Sequence, residues 1–514
     1  SSAAHFYGKP IASAEAFTGS RYYHCFADQK NSADYAYAFG VNEFVLCASA
    51  YQPWIDKYPG STAGGKHYCL NRNNTYWEYS RPFWDYQARC SALMRKGVPV
   101  VDICVYLGQN PPVKLVTYRL PEIPEGYDFD VCTAEALVGR TMAVDGRLTL
   151  PTGISYSLLV IQRNNDMPLH VLRHIAGLVK GGVIVCGPRP DGSDSLKDKA
   201  ESEEYRALVD ELWGELTTVS QIRKVGKGKI YENIPLSEVL KYENIRPDIA
   251  IKSGNTAKDK VYFVHRRLSD ADVYFLNNHS DRAFHDTIRL RTDARQAEYW
   301  DAVTGQRYMI PVKASGEKGM LLNLTLAPRE SGFIVTSNNQ ATGLLPRIAD
   351  VQETITPIEG SWNVYFDPRW GGPGKVVFDE LIDWTVHADT GIRYYSGTVV
   401  YHKELNLAMP AQNERLLLRF PRLGSLARVW VNGKEVVTVW CSPWEADITS
   451  YVHEGKNNLK IEVVNSLMNR MIGDASLPES ERFTYAYPQI ATPTDKLVPS
   501  GIMEQLNLVY RQCQ

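Results

Sequence analysis

Apolar runs of strand length alternate with helical stretches through the first half of the chain, and this alternation restricts the fold more than any other feature. Residues 98–107, 157–161 and 182–187 are such runs, and a helical stretch over 168–180 separates the last two. Strands that are apolar on both faces are buried on both faces, which is the habit of a parallel sheet covered by helices. Phe129-Asp130-Val131 opens a further strand. Residues 97–250 therefore read as a flavodoxin-like α/β domain. No G-x-G-x-x-G opens a helix after its first strand, so no nucleotide site is inferred. Gly181-Gly182 reads as a helix C-cap.

The same rhythm occupies residues 1–96. An apolar stretch, Lys9-Pro10-Ile11-Ala12-Ser13-Ala14, ends in Glu15. Residues 28–39 are helix-like and stop at Gly40; 40–47 read as the next buried strand. A long polar and aromatic loop covers 51–77, and a helix over 82–96 carries Phe83, Tyr86, Cys90, Leu93 and Met94. Strand, helix, strand, loop and helix is barrel order, and the C-terminal mouth of a (β/α)8 barrel is where strand-end carboxylates act. A barrel needs about 250 residues. A catalytic strand at residue 15, in a sequence without an initiator Met, predicts the C-terminal part of a longer enzyme. A second catalytic carboxylate is then expected upstream.

Later residues turn to β. Residues 260–267 and 271–277 pattern as paired strands, with others over 321–326 and 332–336, predicting a small antiparallel sandwich over 251–345. Residues 346–514 carry further short strands at 415–420, 427–432 and 458–464, with Asn432-Gly433 as a type I′ hairpin turn. That pattern suggests a jelly-roll, galactose-binding-like domain. The expected fold class is multidomain α/β plus all-β.

A net charge of −2 over 514 residues argues against a nucleic-acid or anionic-membrane surface. No stretch of about 18 apolar residues exists, so no membrane span is expected. The 30 Tyr and 11 Trp suit sugar platforms and β-rich domains equally. The nine Cys follow no metal-ligand spacing and imply no disulfide framework; most sit in apolar runs as small core residues.

Glu15 is the candidate catalytic carboxylate, able to act as base, acid or nucleophile in glycoside hydrolysis. The alternative is an ion pair with Lys9, Arg21 or Arg72. Tyr51, Gln52, Trp54, Arg72, Asn73 and Trp77 are candidate sugar contacts, pairing amides and an Arg with flat rings. A surface loop with structural Asn turns is the competing reading. His5 and His67 are weaker candidates, as a ligand or a general acid. The segments Trp362 to Pro373 and Tyr394 to Thr398 read as turns at the edge of a sandwich.

Several stretches match a family when taken together: residues 1–9, 14–18, Gln52-Pro53-Trp54, Asn71-Arg72-Asn73-Asn74-Thr75, 362–373 and Asn469-Arg470-Met471-Ile472-Gly473-Asp474. The chain resembles the bacterial α-L-rhamnosidases of glycoside hydrolase family 106 over essentially its whole length. The resemblance implies an inverting two-carboxylate hydrolase that removes terminal α-L-rhamnose from plant or microbial polysaccharides or glycosides. It makes Glu15 the general base. Inversion sets the two carboxyl groups about 6.5–9.5 Å apart. It also implies a periplasmic or extracellular location, and calcium as a cofactor of some members, although no recognisable calcium loop occurs here. Members carry His where this chain has Tyr51, which bears on linkage preference. The C-terminal domain resembles the sugar-binding jelly roll of family 2 hydrolases. The other function class left open is a non-catalytic carbohydrate-binding or structural fragment.

Overall fold

Six strands form the α/β unit, in the spatial order Phe129–Cys132, Ile103–Tyr106, Leu158–Ile161, Ile184–Cys186, Gly228–Glu232 and Gln221–Val225. The first five run parallel and the last is antiparallel. Numbered along the chain the order is 2-1-3-4-6-5, and its parallel part follows the flavodoxin-like doubly wound order. The computed structural model describes residues 1–514 except 20, 48, 66–69, 109–119, 163–166, 194, 196–201, 216–218, 255–259, 340–342, 348–351 and 513–514.

The strands behave as their composition demands. Every residue of Ile103–Tyr106 and Leu158–Ile161 is buried. The helix Leu169–Lys180 presses Val171, Leu172, Ile175 and Val179 onto the sheet, each contributing about 1.5–3 kcal/mol of burial. It ends at Gly181, and Gly182 takes φ +116, the conformation a helix C-cap glycine supplies.

Two expectations change. Residues 98–107 are not one strand: Val98–Pro99 pairs with Arg266 and Arg267 in the neighbouring sandwich, and only Ile103–Tyr106 enters the parallel sheet. Pro99 cannot donate to a ladder, which suits it to the outermost strand of that sandwich sheet. The first residues also leave the unit they were assigned to. The helix Ser2–Phe6 buries Phe6 in the α/β core, and His5 Nδ1 lies 2.8 Å from Asp130.

Residues 13–46 contribute a two-stranded parallel sheet, Ser13–Ala16 beside Glu43–Leu46. The helices Phe26–Tyr37 and Arg81–Met94 flank it, joined through Tyr37, Phe83, Tyr86 and Met94 into a core shared with both sandwiches. The first sandwich stacks a four-stranded on a seven-stranded sheet around Tyr274, Leu276, Leu322 and Ile334. The second stacks four strands on six around Trp362, Phe366, Trp384 and Tyr401. In the latter, Asn432 and Gly433 both take positive φ between antiparallel strands, as a type I′ turn requires. The result is a multidomain, mostly β protein with some helices. Cys90, Cys104, Cys132, Cys186 and Cys441 are buried and free; Cys69 and Cys513 lie outside the described residues. No helix among the described residues is long and apolar enough to cross a membrane.

Candidate active site

Glu15 is the third residue of Ser13–Ala16 and lies opposite Val45 on the parallel partner. Residues paired across a sheet share a face. Ser13, Glu15 and Val45 are exposed on one face, while Phe44 on the other packs against Phe17 and Tyr37. Glu15 forms no ion pair with Lys9, Arg21 or Arg72 among the described contacts. The other carboxylate of the small sheet, Glu43, is bound by Arg95 at 2.9 Å.

The strand stops at Ala16, one residue after Glu15. Phe17 takes φ +65, a left-handed conformation that bulky residues avoid. Its ring is wedged against Phe44 at 5.7 Å and Phe83 at 6.3 Å. That packing holds a strained turn directly behind the carboxylate, the kind of strain that clusters at functional sites.

The loop after Glu43–Leu46 divides the predicted sugar contacts into two groups. Gln52 is buried, and its side-chain oxygen accepts from the Ser61 N–H at 2.8 Å while its amide nitrogen donates to the Ser61 carbonyl at 2.7 Å. Asn73 is 2% exposed and donates to the carbonyls of Lys57 at 3.0 Å and Pro59 at 3.4 Å. The physical reason is the loop's own backbone: a long excursion from the sheet must satisfy its N–H and C=O groups, and amide side chains copy backbone donors and acceptors. Gln52 and Asn73 are thus internal braces rather than sugar-facing groups. Gly60 fits only without a side chain, since a Cβ there would sit 2.4 Å from the Gln52 oxygen.

The second group faces outward. Tyr51 and Trp77 are exposed, and Trp54 is half-buried. Arg72 is exposed and donates to the carbonyls of Gln52 and Trp54, both at 3.3 Å. His67 lies outside the described residues. His5 is committed to Asp130, which also accepts from Tyr156 at 2.8 Å. Burial raises the Asp130 carboxyl, but its bonds to His5 outweigh that and hold it below the usual range.

The C-terminal sandwich reaches this loop, which nothing local in the sequence signals. Pro59–Ser61 pairs in parallel with Tyr485–Tyr487. Trp54 meets Tyr485 edge-on at 5.0 Å, Tyr58 meets Trp370 at 5.6 Å, and the Thr75 hydroxyl donates to the Asn465 carbonyl at 2.7 Å. Asp474 accepts from the Thr484 N–H at 2.7 Å and hydroxyl at 2.6 Å, anchoring the start of the pairing segment. Tyr22 and Ala50, from the loops after each of the two parallel strands, join one apolar cluster with Leu467, Met471 and Ile472.

Among the described residues no three His, Cys, Asp or Glu side chains gather as a cation site. A separate groove of about 1250 Å³ lies between the α/β unit and the first sandwich. Its cations are already engaged, Arg291 with Asp102 at 2.8 Å and Arg267 with Asp272 at 2.8 Å.

A family model described as alpha-L-rhamnosidase, glycoside hydrolase family 106, matches residues 1–313. One described as the sugar binding domain of glycosyl hydrolases family 2 matches residues 349–510. The solved rhamnosidase from Novosphingobium sp. PP1Y superposes with a TM-score of 0.89 at 29% identity, covering 99% of this chain and 48% of that one. A Formosa agariphila protein named "Putative beta-glucuronidase" is 23% identical, covering 93% of this chain and 59% of its own length. The chain thus spans about half the length of these relatives. With more than half of its residues under one family model, the chain belongs to the alpha-L-rhamnosidases of glycoside hydrolase family 106.

Proposed function

We propose that this chain carries one half of the machinery of an inverting α-L-rhamnosidase, with Glu15 as general base. The observation that carries the reading is the exposed Glu15 at the end of a parallel strand, within the residues that the rhamnosidase family model matches. In this reading Ser13–Ala16, Glu43–Leu46 and their helices are the C-terminal part of a (β/α)8 barrel, and residues 346–514 are a jelly roll. Glu15 takes a proton from a water that attacks the anomeric carbon, on the face opposite the departing oxygen. A second carboxyl group, about 6.5–9.5 Å away, protonates that oxygen. No residue of this chain is assigned to that role.

Recognition follows from the outward-facing group. Arg72 and Tyr51 offer donors to sugar hydroxyls. Trp77 packs against the apolar face and the C5 methyl, which distinguishes rhamnose from hexoses bearing a hydroxymethyl. Gln52 and Asn73 position the loop and do not touch sugar. Rhamnose-containing oligo- or polysaccharides are the substrate class, and the location is periplasmic or extracellular by family kinship alone.

The test is hydrolysis by the intact protein of an aryl α-L-rhamnoside, with an aryl β-D-glucuronide as the control. β-L-rhamnose as the first anomer in solution, followed by proton NMR, supports the reading. First release of the α anomer, or turnover of the glucuronide alone, overturns it.

A further inference from the structure

We propose that the C-terminal sandwich supplies part of the substrate cleft: Trp54, Tyr485 and Tyr487 form an aromatic platform for the sugar on the leaving-group side of the scissile bond. The proposal rests on the hydrolase reading above.

Alternate residues of a strand point to one face. Tyr485 and Tyr487 are such a pair, and Tyr485 already touches the Trp54 ring. Tyr487 therefore extends the same face by roughly 7 Å, and 64% of it is exposed. Trp54 and Tyr485 meet at 71° and form an apolar corner, and the open Tyr487 ring beside it offers its surface to the C–H face of a pyranose. Polar rims meet its hydroxyls. Lys57 supplies such a rim. Its ammonium lies 4.0 Å from the Tyr485 ring centre and 5.4 Å from that of Trp54, and none of its N–H donors is used within the described residues.

The platform lies on the side where catalysis is proposed. The loops leaving both parallel strands, represented by Tyr22 and Ala50, converge on the C-terminal domain in one cluster. That domain therefore packs against the loops that follow the strand of Glu15 and its parallel partner. The platform is also braced from behind. Asp474 fixes Thr484, and Arg470 sits beneath Phe483 at 5.0 Å. The Asn469–Asp474 motif thus acquires a role, since it holds the segment that places Tyr485 against Trp54. A lone terminal rhamnose needs none of this surface, but the next sugar does.

The experiment compares kcat/KM on a rhamnosyl oligosaccharide with that on α-L-rhamnosyl fluoride, whose leaving group is too small to reach the platform. In Tyr487→Ala the ratio of the two should fall about tenfold, the scale of one aromatic contact; Tyr487→Phe should restore it. Equilibrium titration of Trp fluorescence with the oligosaccharide should weaken in parallel, and it needs no turnover. An unchanged ratio and an unchanged titration in Tyr487→Ala overturn the platform. A protein that cleaves neither rhamnoside, yet loses oligosaccharide binding in Tyr487→Ala, retains the platform and loses the hydrolase reading.

Discussion

The side-chain amide of Gln52 closes on both backbone groups of Ser61, at 2.8 and 2.7 Å, as one strand residue would close on another. Gln52→Ala leaves that N–H and C=O without their partner. The expected loss is about 2 kcal/mol, read as a lower denaturant midpoint. Gln52→Glu should lose nearly as much, because a carboxylate presents an acceptor to the Ser61 carbonyl where a donor is needed. Retention of the midpoint in both variants would remove Gln52 from the loop's framework.

Glu15→Gln separates chemistry from folding. The side chain is exposed and unpaired, so thermal unfolding should be unchanged. Rhamnoside turnover should fall by about 10²–10⁴-fold if Glu15 is the base. Full turnover in this variant would place the base elsewhere.

Lys30 is buried with Asp34 at 2.7 Å and Ser331 at 2.8 Å, where the helix Phe26–Tyr37 meets the first sandwich; Tyr86 also donates to Asp34. Lys30→Met strands a buried carboxylate, and the expected cost is about 3–5 kcal/mol. The double variant Lys30→Met with Asp34→Leu removes the stranded charge and should recover much of that loss. Calorimetric unfolding of both distinguishes a paired charge from simple packing.

His265 is fully buried between Asp248 at 2.9 Å and Asp272 at 3.0 Å. Burial works against the imidazolium, but the two carboxylates outweigh it and raise His265 above the ordinary histidine value. Its stabilisation is therefore complete below about pH 6.5 and is lost as pH rises through the raised value. Asp272 has the opposite sign. Burial raises it, yet His265, Arg267 and Thr292 together hold it below the usual carboxylate range. Its contribution is present above about pH 4 and is lost on acidification. Unfolding midpoints across pH should show an alkaline decline that His265→Gln abolishes.

The parts that were legible in the sequence are those whose apolar period reports burial directly. The helix expected over 82–96 spans Arg81–Met94, and the one expected over 28–39 spans Phe26–Tyr37. The strand carrying Glu15 was legible because a charge closes an apolar run. The helix Ser2–Phe6 was not, since five residues hold too little period and its anchor, Asp130, lies 125 positions on. Gln52 and Asn73 misled for a chemical reason. An amide that grips a sugar and one that grips its own loop look alike until the partner is known. Tyr485 was invisible for want of any local signature, its significance lying wholly in the ring it meets.

The Thr62 hydroxyl donates to the Pro488 carbonyl, 426 positions later, within the same contact that pairs Pro59–Ser61 with Tyr485–Tyr487. Contacts of such sequence separation form late, because closing the intervening chain must precede any reward for it. During synthesis the strand of Glu15 emerges well before the segment that steadies its neighbouring loop. The loop over residues 51–77 therefore acquires its final support only after the C-terminal sandwich has been made and docked. A product released before that docking would carry Glu15 on its strand beside a loop that has lost its brace.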